Sequence, residues 1–303
     1  MNRFIYITGF CLLITSTAIV CKPAYQLLDK DVPGTVPKLF AADIVGAQKQ
    51  YAGYCAFSAD GKELYYAVTN NRWEISKMVF IPLANSLKPD TIFLKDHQYE
   101  GEPFITADNQ TMYFTVVLPP DSGKIWQADI YRSFRTSNGW SVAEKLDTII
   151  NSDASEWHVS FAKNNMMYFT SERENGTSAL HGDIFKAKLD GNKFQHVTKL
   201  PNGINTQYND SDPLIAPDES YLIFHSDRPG GYGEHDLYIS FFSNGNWSDP
   251  KNMGAVINTS AWEMAPSLTP DGKYLLFTRR KAMITDEPSQ IWWVSTKILK
   301  HYK

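Results

Sequence analysis

Pro266-Ser-Leu-Thr-Pro-Asp-Gly-Lys-Tyr-Leu-Leu-Phe-Thr-Arg-Arg280 sets two apolar runs on either side of Pro270-Asp271-Gly272-Lys273. Pro and Gly supply the dihedrals of a tight turn, and the Asp side chain can bond its own backbone two residues on. Apolar runs joined this way predict a β-hairpin. The same unit recurs as Phe57–Tyr66, Ile105–Phe114, Phe161–Phe169 and Leu214–Phe224, the third copy one residue shorter. Asp60, Asp108, Asn164, Asp218 and Asp271 mark equivalent points, at intervals of 48, 56, 54 and 53 residues. A period of about fifty residues, with strands throughout, is the signature of a β-propeller.

The repeats continue beyond their hairpins. A third strand is predicted at Asp129-Ile-Tyr-Arg132, Asp183-Ile-Phe-Lys186 and Asp236-Leu-Tyr-Ile239, with Glu74-Ile75 and Gln290-Ile291 in the same place in the outer repeats. A fourth follows turns at Gly139-Trp140-Ser141, Lys193-Phe194 and Asn246-Trp247-Ser248, and each middle repeat ends on Ile-Asn at Asn151, Asn205 and Asn258. These asparagines are expected to be structural, tolerating a tight crossing to the next strand. Five hairpins predict one all-β propeller of five four-stranded blades over residues 36–303. The last repeat stops one strand short after Gln290–Thr296, while Pro37–Ile44 is a strand-like run with no partner hairpin. Unpaired sheet edges invite aggregation. The N-terminal strand is therefore expected to become the outermost strand of the last blade and close the ring. No sustained helical period suggests a separate helical domain.

The 303 residues are 43% hydrophobic and 14% aromatic, enough for a sizeable core of half-buried pleated surfaces. A formal net charge of -4, with no basic run, excludes a nucleic-acid footprint. Residues 1–21 stand apart: Arg3 precedes an apolar stretch from Phe4 to Val20, which predicts an export signal rather than a membrane span. Two processing routes fit. Ser16-Thr17-Ala18 offers a signal-peptidase site ahead of Ile19, and Cys21 stands where a lipoprotein cysteine would, though Val20 is bulky for a lipobox. Residues 22–35, with Pro23, Pro33 and Gly34, read as a linker. Cys11 lies inside the signal, so there is no disulfide framework, and Cys55 on its apolar run is expected in the core.

The Pro-Asp-Gly-Lys hairpins, Ser226-Asp227-Arg228-Pro-Gly-Gly-Tyr232, Asp236-Leu-Tyr, Trp247-Ser and Ile257-Asn resemble the WD-repeat-like propeller repeats of the bacterial envelope protein TolB. The resemblance covers roughly residues 50–299. It implies the propeller fold and a periplasmic or envelope location, and says little of function. TolB-type propellers have six blades, the alternative to the five counted here. Similar repeats also precede peptidoglycan-binding domains, for which these 303 residues leave no segment.

Five residues before Phe57, Ile105, Phe161, Ile215 and Leu268 stand Ala52, Glu100, Glu156, Asp210 and Glu263. Four of five blades thus begin their innermost strand with a carboxylate, where a propeller gathers these starts around its channel mouth. Tyr99, Trp157, Tyr208 and Trp262 lie close by. Glu100, Glu156, Asp210, Glu263, Trp157 and Trp262 are therefore the ligand-binding candidates, suited to a sugar, a basic peptide or a divalent cation held by oxygen ligands, with an envelope protein or glycan the expected partner. Against this, the acids follow the repeat's own period, and Arg173, Arg228 and Arg280 recur where they can pair with them between blades. A glycan-active hydrolase or lyase using two of these carboxylates is the alternative. The histidines are expected on the surface, satisfied, without a local metal cluster. No cofactor motif is present. The expected protein is a monomeric, non-catalytic binding or scaffolding propeller of the periplasm, touching the membrane only through a lipid on Cys21.

Overall fold

The computed structural model describes residue 28 and residues 31–45, 50–73, 75–83, 87–92, 99–118, 127–174 and 181–303. The export signal, Cys21, Glu74 and most of the linker lie outside the described residues. A two-residue strand, β1 (Lys38–Leu39), comes first. The first group of strands is β2 (Tyr51–Phe57), β3 (Glu63–Thr69), β4 (Ser76–Pro82) and β5 (Asp90–Ile92). The second is β6 (Tyr99–Ile105), β7 (Thr111–Leu118) and β8 (Gln127–Thr136), edged by β9 (Gly139–Trp140) and β10 (Glu144–Lys145). The third is β11 (Glu156–Phe161), β12 (Met166–Ser171), β13 (Asp183–Asp190) and β14 (Lys193–Lys199). The fourth is β15 (Asp210–Ile215), β16 (Tyr221–Ser226) and β17 (Asp236–Ser243), edged by β18 (Asn246–Trp247) and β19 (Lys251–Asn252). The fifth is β20 (Trp262–Leu268), β21 (Tyr274–Arg280) and β22 (Gln290–Ser295).

Pairing within every group is antiparallel, and one parallel bridge, Ser76 to Tyr99, links the first two. β1 pairs antiparallel with β22 through Lys38 to Trp293 and Leu39 to Trp292, giving the order β1-β22-β21-β20. The first strands of the groups lie side by side: β2 against β6 and β20, β6 against β11, β11 against β15, and β15 against β20. Two short helical pieces, α1 (Gly254–Ile257) and a 3-10 turn over Thr296–His301, pack their apolar residues onto the last two groups.

The core is distributed over the seams. Five apolar clusters each join two neighbouring groups, so most sheets are covered on both faces. Period-two alternation divides one strand between two seams. In β12, Met167 and Phe169 pack toward the second group, whereas Tyr168 packs toward the fourth. Burial on both faces is why the second strand of each hairpin reads as a near-continuous apolar run. Cys55 sits in the cluster between the first and fifth groups, and burial pushes its thiol up to about 11.

The hairpin turns have the chemistry their sequences promised. Asp60, Asp108 and Asp271 each accept from a Ser or Thr hydroxyl two residues before and a backbone N–H two residues after. The next residue takes positive φ in every copy, at Gly61, Asn109, Asn165, Glu219 and Gly272. The terminal asparagines do more than tolerate a crossing. Asn151 accepts from the Ile130 N–H and donates to the Ile130 and Leu146 carbonyls, and Asn205 does the same with Ile184 and Leu200. Asn258 bonds both backbone groups of Leu237. A buried amide thus stands in for a strand edge along the third strand.

Candidate functional site

The periodic carboxylates open their strands, and three of them are fully buried inside their own group. Glu156 accepts from the Ser152 N–H and hydroxyl, the Ser171 hydroxyl and Arg173 Nη2 at 3.5 Å. Asp210 accepts from the Thr206 N–H and hydroxyl and from Arg228 Nη2 at 2.5 Å. Glu263 accepts from the Thr259 N–H and hydroxyl and from Arg279 Nε at 2.7 Å. Burial pushes Glu156 and Glu263 up, and these donors pull against it.

Two expectations about the arginines need correction. The pairs form within one group, across its first hairpin, and the partner of Glu263 is Arg279 rather than Arg280. In β21 the two arginines alternate faces, so only Arg279 lies on the side of Glu263. Arg280 is itself buried, donates to the carbonyls of Asn71, Ala282 and Met283, and lies over the rings of Tyr51 and Trp73. Glu100 is buried beside the first seam, where Ser76 Oγ donates to its carbonyl.

A second set lies two residues further along each first strand: Tyr54, Glu102, His158, Asp212 and Ala265. All five take positive φ, and each hairpin shifts register there, so each strand carries a β-bulge. A bulge takes one N–H out of its ladder, and neighbouring groups supply the acceptors. The Asp212 N–H donates to Thr170 Oγ1 of the third group, and the Tyr54 N–H to Thr278 Oγ1 of the fifth. At two further seams a carboxylate relays the bond. Glu102 Oε2 accepts from Thr115 Oγ1 and from the His158 N–H, at 2.7 and 2.8 Å. Asp212 Oδ2 faces His225 Nδ1 at 3.2 Å and accepts from the Ala265 N–H at 2.9 Å. Gly53 beside Tyr54 is required by close approach, since a Cβ there would meet Thr278 Cγ2 at 2.9 Å.

These axial groups are nearly dry but keep a little accessible surface: 3% for Glu102, 4% for Asp212, 7% for His158 and His225. Burial, reinforced by the Asp212 charge, pushes the Glu102 carboxyl up to about 8. Burial would raise Asp212 as well, but His225, its hydrogen bond and His158 hold it down at about 2. Near neutral pH one carboxyl keeps its proton and the other is ionised. Burial lowers His158 and brings His235 down to about 3. His158 and His225 are therefore buried rather than on the surface as expected, and His235 is half-buried. Among the described residues no group of three or more His, Cys, Asp or Glu is placed to hold a metal ion.

Half-buried tryptophans flank the axis. Trp73 stands edge-on to Tyr54 at 5.8 Å, and Trp262 lies 4.3 Å from His235, itself 5.0 Å from His225. Trp157 shares an apolar cluster with Tyr99 and Trp73, and donates to Glu172. Tyr99 is buried rather than exposed, and Tyr208 is half-buried. The sequence signal for the axial set was Pro103, Pro213 and Pro266, each directly after a bulge residue. Proline inside a strand marks an edge or a bulge.

No family model matches the chain, and no curated protein matches it in sequence. Solved structures do match in fold. A putative TolB from Agrobacterium tumefaciens aligns over 82% of this chain and 78% of its own, with 15% identity and a TM-score of 0.53. An alpha-L-arabinofuranosidase from Lactobacillus brevis aligns over 82% and 92%, with 11% identity and a TM-score of 0.54. A thermostable family-43 glycoside hydrolase aligns over 80% and 88%, with 11% identity and a TM-score of 0.53. The chain is an all-β protein with the β-propeller fold. Identities this low carry the fold and none of the chemistry.

Proposed function

We propose that this chain is a non-catalytic binding propeller of the bacterial cell envelope. Five blades close into a ring with β1 as the last outer strand, and a protein or glycan partner sits on the face where the innermost strands begin. The observation that carries this reading is the state of the periodic carboxylates. Glu156, Asp210 and Glu263 are buried and held by Ser or Thr and Arg of their own group, which suits blade clamps rather than a hydrolytic pair open to substrate. The aromatic rim around Trp157 and Trp262 is then the contact surface. The apolar stretch of residues 1–21 supports export, with lipidation at Cys21 as one route to the membrane. Among the described residues no helix is long and apolar enough to cross a membrane.

Glycan hydrolysis is the second reading. It is favoured by Glu102 and Asp212, whose surroundings drive their titrations apart as an acid and a base require. Two assays decide. The protein should co-sediment with purified bacterial envelopes, Trp157→Ala and Trp262→Ala should each weaken this at least about tenfold, and a chromogenic glycoside panel should show no turnover. Failure to co-sediment overturns the binding reading. Turnover abolished by Glu102→Gln or Asp212→Asn replaces it with the enzyme.

A further inference from the structure

We propose that the propeller axis binds a neutral saccharide unit, hydrogen-bonded by Glu102, His158 and Asp212 and stacked against the rim tryptophans. This rests on the binding reading above and names the ligand class and the place. One oxygen of each carboxylate is committed to the seams, Glu102 Oε2 to Thr115 and His158, Asp212 Oδ2 to His225 and Ala265. Their other oxygens have no such bond to a described residue. Two further groups point to a missing partner. His158 Nδ1 and Arg280 Nη1 are buried without a hydrogen bond, on side chains more than nine-tenths buried. Native structures rarely leave such atoms unmatched.

The charge balance selects the ligand. A cation is disfavoured by Arg280, whose field reaches Tyr54 and Tyr99, and by a Glu102 that keeps its proton. An anion is disfavoured by ionised Asp212. What remains is a neutral molecule that both donates and accepts hydrogen bonds and has an apolar face for Trp73, Trp157 or Trp262. Sugars have both.

The test is titration of the whole protein with maltotriose, xylotriose, arabinotriose, chitotriose and, as a cationic control, trilysine, followed by tryptophan fluorescence. At least one trisaccharide should give a saturable change. Asp212→Asn should weaken it at least tenfold, and so should Trp262→Ala, which removes a rim ring and leaves the Glu102 and Asp212 hydrogen bonds in place. Glu219→Gln, in a remote hairpin turn, should leave it intact. Circular dichroism and the melting temperature identify a variant that fails to fold, and Trp262→Ala then carries the test. Trilysine binding alone, no binding by any trisaccharide, or saccharide binding that survives both variants overturns the proposal. Envelope co-sedimentation retained without trisaccharide binding sinks this site alone, whereas loss of both sinks the binding reading too.

Discussion

Glu102 carries the clearest consequence at the residue scale. Its folded carboxyl titrates at about 8, against 4.5 when unperturbed, because burial and then the Asp212 charge oppose ionisation. Tyr54 and Tyr99, the other titratable groups coupled to it, stay neutral because burial drives them upward. A folded state that binds its proton more tightly than the unfolded chain has its full advantage below the unfolded value and loses it as pH rises through the folded one. The melting temperature should therefore fall between about pH 4.5 and pH 8, and Glu102→Gln should flatten that limb. A wild-type curve that rises there would contradict the assignment. Asp212 has the opposite sign: its contribution is present at neutral pH and lost as pH falls through about 2. For the clamps, Glu156→Gln and Glu263→Gln should each lower unfolding stability by about 1–3 kcal/mol in urea, since a half-buried arginine loses its charged partner. No loss in either would return these acids to the ligand site. The periodic acids were legible because a repeat displays its own period. The axial residues were not, because Tyr, Glu, His, Asp and Ala share a backbone role and no chemistry. Only the prolines beside three of them marked the bulge.

At the scale of the element, the hairpins were the most legible feature. An Asp followed by Gly or Asn, between apolar runs, leaves few alternatives to a tight turn with a left-handed residue. The third copy's short spacing appears in its register, with Phe161 opposite Met167 where Phe57 faces Leu64. The Ile-Asn ends were legible as structural but not in mechanism, since the bonds they make run to a strand some twenty residues earlier (|i−j| = 21). Asn151→Ala would strand the buried Ile130 N–H and take a donor from the Leu146 carbonyl, while the Ile130 carbonyl keeps the Leu146 N–H. It should lower the urea midpoint by the equivalent of about 1–3 kcal/mol with an unchanged slope. Exposed Asn138→Ala should stay within about 0.5 kcal/mol. Equal effects from the two would refute the strand-edge role.

For the whole molecule, the repeat made the architecture legible, while the seams had to be seen. Five apolar clusters, one between each pair of neighbouring groups, make every group depend on two others. The proposed route outside the cytoplasm is checked by mass spectrometry of the mature N-terminus. Diacylglycerol on Cys21 or a free end near Ile19 is expected, and an intact Met1 in a cytosolic fraction would refute export. The proposed ring closure rests on one seam. There β1 pairs with β22, the Tyr54 N–H meets Thr278, Ser289 Oγ donates to the Ala52 carbonyl, and Phe40 packs edge-on to Trp293 at 5.2 Å. The proposed binding face needs that seam shut. The most direct measurement is the melting temperature and native mass of a variant lacking residues 36–45. The account predicts a domain that is unfolded at ambient temperature or recovers only as a dimer lending strands across two rings. A monomer melting with the wild type would contradict it.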